Sequence, residues 1–146
     1  MSSVNSTQYA KQIADPAGAG YGGQICGDLA YYEAEVVIAS GFTAANDTAN
    51  LFITPAGYRP VANLWHVESE ALGTTATVHI GTAADADAIA ASLNLSAVAS
   101  TDASGGVQWL TPVTTTATTT WIATLATAAS LTAGKKFVVK AVFAKM

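Results

Sequence analysis

The stretch "LAYYEAEVVIA" (residues 29–39) alternates between two kinds of residue with a period of two. One set is small or apolar and consists of Ala30, Tyr32, Ala34, Val36 and Ile38. The intervening set includes two carboxylates, Glu33 and Glu35. Because successive side chains of a β-strand point to opposite faces, the stretch predicts a strand whose first set faces a core.

Two later segments alternate in the same way. In "VANLWHVESEAL" (residues 61–72), Trp65 and Val67 are expected to face inward, since the opposite side carries a histidine and two carboxylates. In "TTATVHIG" (residues 74–81), the inward face is predicted to hold Ala76, Val78 and Ile80. The two strands are predicted to pair as a hairpin, which would place His66 and His79 near one another.

Turn residues separate the strands. Gly41, Asn46 and Asp47 predict a turn before the short strand "LFIT", and Ala133–Gly134 predicts a tight turn before the last strand. Further strands are expected in "VQWLTPV", "ATTTWIATLA" and "KKFVVKAVFA" (residues 107–113, 117–126 and 135–144).

One segment has helical spacing. In "DADAIAASLNLSAVAS" (residues 85–100), apolar residues recur three and four positions apart, which predicts one or two helical turns. Asp85 or Asp87 would then cap the backbone N–H groups at the start of that helix. The two carboxylates do not satisfy an EF-hand, because Ile89 and Ala90 occupy its fifth and sixth positions. The alternative to the capping role is an irregular site that binds Ca²⁺ weakly.

Many short strands without an alternating βαβ pattern predict an all-β fold, an antiparallel β-sandwich or jelly roll. We assign residues 29–146 to this sandwich domain and residues 1–28 to a glycine-rich, extended N-terminal arm. Five glycines and a proline within residues 14–27 make ordering of the arm costly unless a partner holds it. The candidate partner-binding residues are the spaced apolar side chains of the arm: Tyr9, Ile13, Tyr21 and Ile25. The alternative is an unstructured leader.

The chain of 146 residues is poor in charge, with 11% charged residues against about a quarter in typical soluble domains. Such a surface favours coverage by identical copies or by another protein, although an exposed threonine-rich surface is the alternative. Lys135, Lys136, Lys140 and Lys145 crowd the last strand, where they would protect a sheet edge or complement an acidic partner. A chain of net charge −4 lacks the basic surface that nucleic-acid binding needs.

The sequence holds few groups for chemistry. The single Cys26 excludes an intramolecular disulfide framework and fits synthesis in a reducing host cytoplasm. No serine or cysteine motif accompanies the two histidines, and the i, i+2 carboxylate pairs share one strand face without implying a cleft. "GAGYGG" has the glycine spacing of a dinucleotide-binding loop but neither follows a strand nor opens a helix. We therefore expect no enzyme, cofactor or metal. With no signal pattern and no apolar run long enough to span a bilayer, we also expect no membrane association.

The segment "GYRPVANLWHVESEALGTTATVHIGTAADADAIAA" (residues 57–91) resembles small virion proteins of tailed bacteriophages. The likeness lies in residues 55–61, in the "ALG" turn at residues 71–73 and in "VHIGTAADAD" at residues 78–87. It implies a head decoration (cement) protein or a related virion component, a β-sandwich assembled as a homotrimer on the capsid exterior with the major capsid protein as partner. It brings no catalytic residue.

Two functions follow as hypotheses. The first is a non-enzymatic virion protein, a capsid decoration protein that stabilises the head by bridging adjacent capsid subunits. The second is a carbohydrate- or surface-binding module of a phage fibre or spike, in which Trp65, Trp109 and Trp121 would stack on sugars if they were exposed. Core positions are the structural alternative for these tryptophans.

Overall fold

A computed structural model describes residues 3–14, 25–26, 29–61, 64–103, 116–127 and 130–145, with residues 25 and 26 described in their backbone alone. The elements are β1 (Ser3–Asn5), α1 (Thr7–Ala14), β2 (Ile25–Cys26), β3 (Leu29–Val37), β4 (Thr48–Thr54), β5 (Tyr58–Pro60), β6 (His66–Ser69), β7 (Thr77–Thr82), β8 (Ala90–Asn94), β9 (Ala99–Asp102), β10 (Thr119–Thr127) and β11 (Lys136–Lys145). The predicted strand at residues 107–113 lies outside the described residues.

The strands form two sheets packed face to face. Sheet A has the order β1-β4-β10-β7-β8, and sheet B has the order β2-β3-β11-β6-β9, with β5 pairing the end of β11. Eight of the strands form a jelly roll. Sheet A contributes β4-β10-β7-β8 and sheet B contributes β3-β11-β6-β9, which is the interleaved order of two Greek keys. The predicted all-β sandwich is confirmed. Among the described strands, all pairings are antiparallel except β1 with β4.

The alternation in residues 29–39 becomes strand β3. Its predicted inward side chains are at most 2% exposed, whereas Leu29, Tyr31 and Val37 on the other side are 38–46% exposed. The predicted inward faces around Trp65 and Val78 are confirmed as well, because both side chains are fully buried.

An aromatic cluster joins the two sheets. The ring of Phe143 lies 5.2–5.8 Å from the rings of Tyr32, Phe52, Trp65 and Trp121. These rings come from both sheets and from the segment before β6, and aromatic contacts at such distances favour tilted and edge-to-face packing. The core is therefore continuous between the sheets.

The first half of the predicted arm is folded. Strand β1 extends sheet A beside β4, and α1 packs against both β3 and β4. Ser6 caps the helix, since its Oγ accepts a hydrogen bond from the Tyr9 backbone N–H at 3.1 Å. The alternation rule does not find this helix because it is only eight residues long. Residues 15–24 lie outside the described residues, and the domain boundary at residue 28 stays a prediction.

The predicted hairpin of residues 61–72 with residues 74–81 is wrong. Strand β6 belongs to sheet B and β7 to sheet A, so His66 and His79 lie in different sheets. The chain changes sheets at the glycine turn, where Gly73 (φ +149°) forms a β-bridge with Leu131. Periodicity assigns a face to each strand but does not identify its neighbour.

The predicted helical turns in residues 85–100 are wrong too. The segment forms a loop and then strands β8 and β9, with Ala88, Ile89 and Ala90 fully or nearly buried. Asp85 thus caps no helix; its backbone carbonyl accepts a hydrogen bond from the Thr82 N–H at 2.8 Å. The apolar residues recur three and four positions apart because buried residues of the loop are followed directly by the inward residues of β8.

The last strand is not an edge strand, contrary to one expectation for its lysines. Strand β11 lies between β3 and β6 in the middle of sheet B. The turn at residues 133–134 is confirmed, since Gly134 has φ +81° and the Lys135 N–H bonds the Thr132 carbonyl. The earlier turn is confirmed by positive φ at Gly41 and Asn46. Among the described residues, no helix is long and apolar enough to cross a membrane.

Candidate interaction surfaces

The outer face of sheet B carries a set of charged side chains, which we call the acidic face. Strand alternation and cross-strand register bring them onto one surface of the neighbouring strands β3, β11, β6 and β9. The set comprises Glu33, Glu35, Glu68, Glu70, Asp102, Lys136 and Lys140. Five carboxylates stand against these two lysines and Arg59, which lies on the same outer face where β5 pairs with Ala144 of β11, so the face is net negative.

Both lysines are held by neighbouring strands. Lys136 Nζ lies 2.9 Å from Glu35 Oε2 on β3, and Lys140 Nζ lies 2.7 Å from Glu68 Oε1 on β6. These hydrogen bonds raise the pKa of both lysines, and the bond from Lys140 lowers the pKa of Glu68. Exposed ion pairs of this kind add little stability. They occupy both lysines of the face, and five carboxylates still outnumber its cations.

Tyr31 belongs to the same face. Its hydroxyl donates a hydrogen bond to Glu33 Oε2 at 2.7 Å. Partial burial, followed by this hydrogen bond and the charge of Glu33, raises the pKa of Tyr31 to about 12. The hydroxyl is therefore tied to Glu33 on the same strand while 38% of the residue stays exposed.

Exposed apolar residues accompany these charges. Leu29 and Val37 lie at the two ends of β3 on the acidic face, with exposures of 46% and 42%. Val98, at the entry to β9, is 82% exposed and borders a shallow depression together with Glu68 and Glu70. Acidic and apolar groups are thus interleaved on one side of the molecule.

The outer face of sheet A, which we call the neutral face, has a different composition. The five described strands of this sheet contain no aspartate, glutamate, lysine or arginine. Their outward side chains are mainly hydroxyl, amide and imidazole groups: Thr48, Asn50, Thr77, His79, Thr120 and Thr124. Large exposed hydrophobic residues are found on none of these five strands.

His66 is linked to two residues that sequence reasoning did not connect with it. Its Nδ1 lies 3.0 Å from Asp102 Oδ1 and its Nε2 lies 2.5 Å from Ser100 Oγ, both on β9. Serine, histidine and aspartate stand in the order of a nucleophilic triad, but such a triad needs a buried, fixed acid. The side chain of Asp102 is 76% exposed. We therefore interpret these bonds as fastening β9 to β6; only the pairing of the strands, which the sequence does not reveal, brings them together.

Other candidate chemistry is sparse. His79 accepts a hydrogen bond at Nδ1 from the Ser92 N–H at 3.1 Å and so belongs to the β7–β8 pairing. Within the described residues, no group of three or more His, Cys, Asp or Glu side chains is placed to hold a metal ion.

The candidate partner-binding residues of the arm are placed unevenly. Tyr9 is half-buried on α1, whereas Ile13 on the same helix is 52% exposed and open to a partner. Tyr21 lies outside the described residues, and Ile25 is described only as the backbone partner of Ala30. The structure does not bring these four side chains together as one site.

The two tryptophans among the described residues do not form a sugar-binding surface. Trp65 is fully buried and Trp121 is 3% exposed, with its Nε1 donating to Thr54 Oγ1 at 2.9 Å. Trp109 lies outside the described residues. Two of the three stacking platforms that a carbohydrate-binding module would need are therefore part of the core.

Comparisons of whole folds find similar chains in structures of bacteriophage capsids. In the capsid of Ralstonia phage GP4, the similar chain shares 16% identity at a TM-score of 0.69, with 84% of this chain and 88% of that chain covered. In the capsid asymmetric unit of cyanophage Pam1, the values are 21% identity, a TM-score of 0.68, and 86% and 90% coverage.

A third similar chain comes from the acid-stable capsid of Helicobacter pylori bacteriophage KHP30, with 18% identity, a TM-score of 0.56, and 82% and 90% coverage. No family model matches the sequence, and no curated protein matches it either. At these identities the likeness defines a class by fold: a jelly-roll sandwich that also occurs in chains of phage capsid structures.

Proposed function

We propose that this chain is a non-enzymatic structural protein of a bacteriophage virion. The observation that carries the proposal is the similarity of nearly the whole chain to chains of three phage capsid structures, with 88–90% of each of those chains covered. The matched chains thus extend little beyond the shared sandwich. The sequence resemblance of residues 57–91 to small virion proteins supports the same assignment.

Within the virion, we infer a role as a capsid decoration protein on the exterior of the head, with the major capsid protein as its partner. A sandwich of this size can bridge adjacent capsid subunits without forming the shell itself. Each bound copy would bury apolar surface, which stabilises the complex by about 25 cal/mol for every Å² removed from water. Expansion of the head would have to expose that surface again. Many weak contacts repeated over a lattice add up to substantial stabilisation.

The test compares purified heads assembled with and without this chain. Decorated heads should withstand a higher temperature and a larger osmotic shock before releasing DNA, and adding the purified chain back should restore the difference. Equal stability of both kinds of head would contradict the decoration role.

We also propose that the chain acts as a homotrimer. Its scarcity of charge fits a surface that is partly covered by identical copies. Sedimentation equilibrium of the purified chain should give three times the 14.8 kDa of one copy. A monomer at all concentrations would exclude a trimer that forms before capsid binding.

A further inference from the structure

We propose that the acidic face is the surface that docks on the capsid, and that the surface it meets presents lysine and arginine side chains around an apolar centre. This inference rests on the proposed virion function and specifies which side of the sandwich performs it. The neutral face would then point away from the shell.

The charge balance of the acidic face favours a basic partner. Its two lysines are already bound to Glu35 and Glu68. Among the described ion pairs, Glu33 and Glu70 have no cationic side-chain partner and Asp102 pairs only with His66. Glu33 accepts a hydrogen bond from the Tyr31 hydroxyl and Glu70 one from the Lys136 backbone N–H, and neither bond removes the negative charge. Complementary charge across an interface steers association and fixes its orientation.

The apolar groups of this face provide the centre of a contact. Leu29, Tyr31 and Val37 follow one another along the outward side of β3, each at least 38% exposed. Interfaces are enriched in tyrosine and combine an apolar centre with a polar rim. The five strands of the neutral face carry no charged residue and no large exposed hydrophobic residue, so this face offers neither component.

A second copy of the chain is a poorer occupant. An isologous dimer would place two net-negative acidic faces against one another, and like charges facing across an interface oppose association. The charge pattern therefore disfavours two acidic faces packed against one another, and the heterologous contacts of a homotrimer do not require such packing.

The experiment measures binding of the purified chain to heads that lack it. The variant E33Q/E70Q removes two negative charges from the acidic face while keeping hydrogen-bond acceptors in place. The matched control, T48K/T77K, changes the net charge by the same amount on the neutral face. Circular dichroism and thermal melting of both variants establish that they are folded.

We expect E33Q/E70Q to weaken binding roughly tenfold and T48K/T77K to change it less than about twofold, since only charges near a partner affect affinity at physiological salt. Added salt should weaken the wild-type chain more than E33Q/E70Q. If the wild-type chain binds and the control loses as much affinity as E33Q/E70Q, the docking assignment is wrong while the decoration role stands. If the wild-type chain does not bind, the decoration role itself fails. A change of oligomeric state in E33Q/E70Q would show that a second copy covers this face and would overturn the assignment.

Discussion

At the scale of single residues, Gly81 governs how the loop after β7 folds. A Cβ at this position would lie 2.2 Å from the Asp85 carbonyl oxygen and 2.7 Å from the Ala86 carbonyl carbon. The loop therefore folds back onto the sheet only because position 81 has no side chain. Ile122 on β10 lies opposite Gly81 on β7. Its side chain points outward from the sheet, yet the residue is only 8% exposed.

The substitution Gly81→Ala should destabilise the protein by roughly 1–3 kcal/mol, because backbone atoms must move to admit the methyl group. Chemical denaturation measures the change. The control Ala84→Ser, at an exposed position of the same loop, should stay within about 0.5 kcal/mol of the wild type. Equal stability of both variants would mean that the loop does not pack on Gly81.

Tyr31 should ionise late. Its pKa of about 12 in the folded state exceeds the ordinary 10.0, so the neutral form is favoured by folding. The resulting stability is present below about pH 10 and is lost as the pH rises through 12. Ultraviolet titration of the wild-type chain minus that of Tyr31→Phe isolates this tyrosine. A midpoint near 10 would show that the Glu33 hydrogen bond does not persist in solution.

At the scale of elements, α1 closes the side of the sandwich where β3 and β4 meet. The side-chain amide of Gln12 imitates a neighbouring strand: its Oε1 accepts from the Ile53 N–H at 2.6 Å, and its Nε2 donates to the Ile53 carbonyl at 2.8 Å. The Ser6 hydroxyl donates a hydrogen bond to the carbonyl of Leu51, two residues before Ile53 on β4. Short covering elements of this kind protect a sheet edge from unwanted pairing.

Replacing Gln12 by alanine should leave the partly buried N–H and carbonyl groups of Ile53 without their side-chain partner and cost about 2 kcal/mol. Amide hydrogen exchange gives the most specific measurement, because the Ile53 N–H should exchange faster in Gln12→Ala. Lys11→Ala, an exposed change on the same helix, serves as the control. If the Ile53 N–H exchanges at the same rate in Gln12→Ala as in the wild type, Gln12 does not shield this part of β4.

The cross-strand ion pair between Lys140 and Glu68 on sheet B can be tested separately. Because the hydrogen bond from Lys140 lowers the pKa of Glu68, Lys140→Gln should move that pKa back upward, as seen in an NMR titration of the side-chain carboxyl group. The pair stabilises the fold above the ordinary glutamate pKa, and that contribution is lost as the pH falls. The control Lys145→Gln should leave the pKa of Glu68 unchanged. If the pKa of Glu68 is also unchanged in Lys140→Gln, the ion pair is absent in solution.

The elements also show which features a sequence reveals. The faces of β3, β6 and β7 were predictable, because burial on one side imposes a period of two. The pairing of β6 with β9 was not, because a jelly roll joins strands that are distant in sequence and local periodicity contains no information on partners. Helix α1 escaped prediction because it has only eight residues and because Ser6 and Gln12 also stabilise it through contacts with β4, which is distant in sequence.

At the scale of the whole molecule, charge is divided between the two sheets. The low overall charge was evident in the sequence, but its division was not, because strands of the two sheets alternate along the chain. The lysines of β11 illustrate this point: they look like a basic edge in sequence, yet Lys136 and Lys140 are paired within an acidic surface.

Electron cryomicroscopy of intact heads tests the central claim most directly. We expect density for this jelly roll on the outside of the shell, at repeated lattice positions, with sheet B turned toward the capsid subunits and sheet A toward solvent. Heads that contain no such density, or that hold the sandwich with sheet A against the shell, would contradict it.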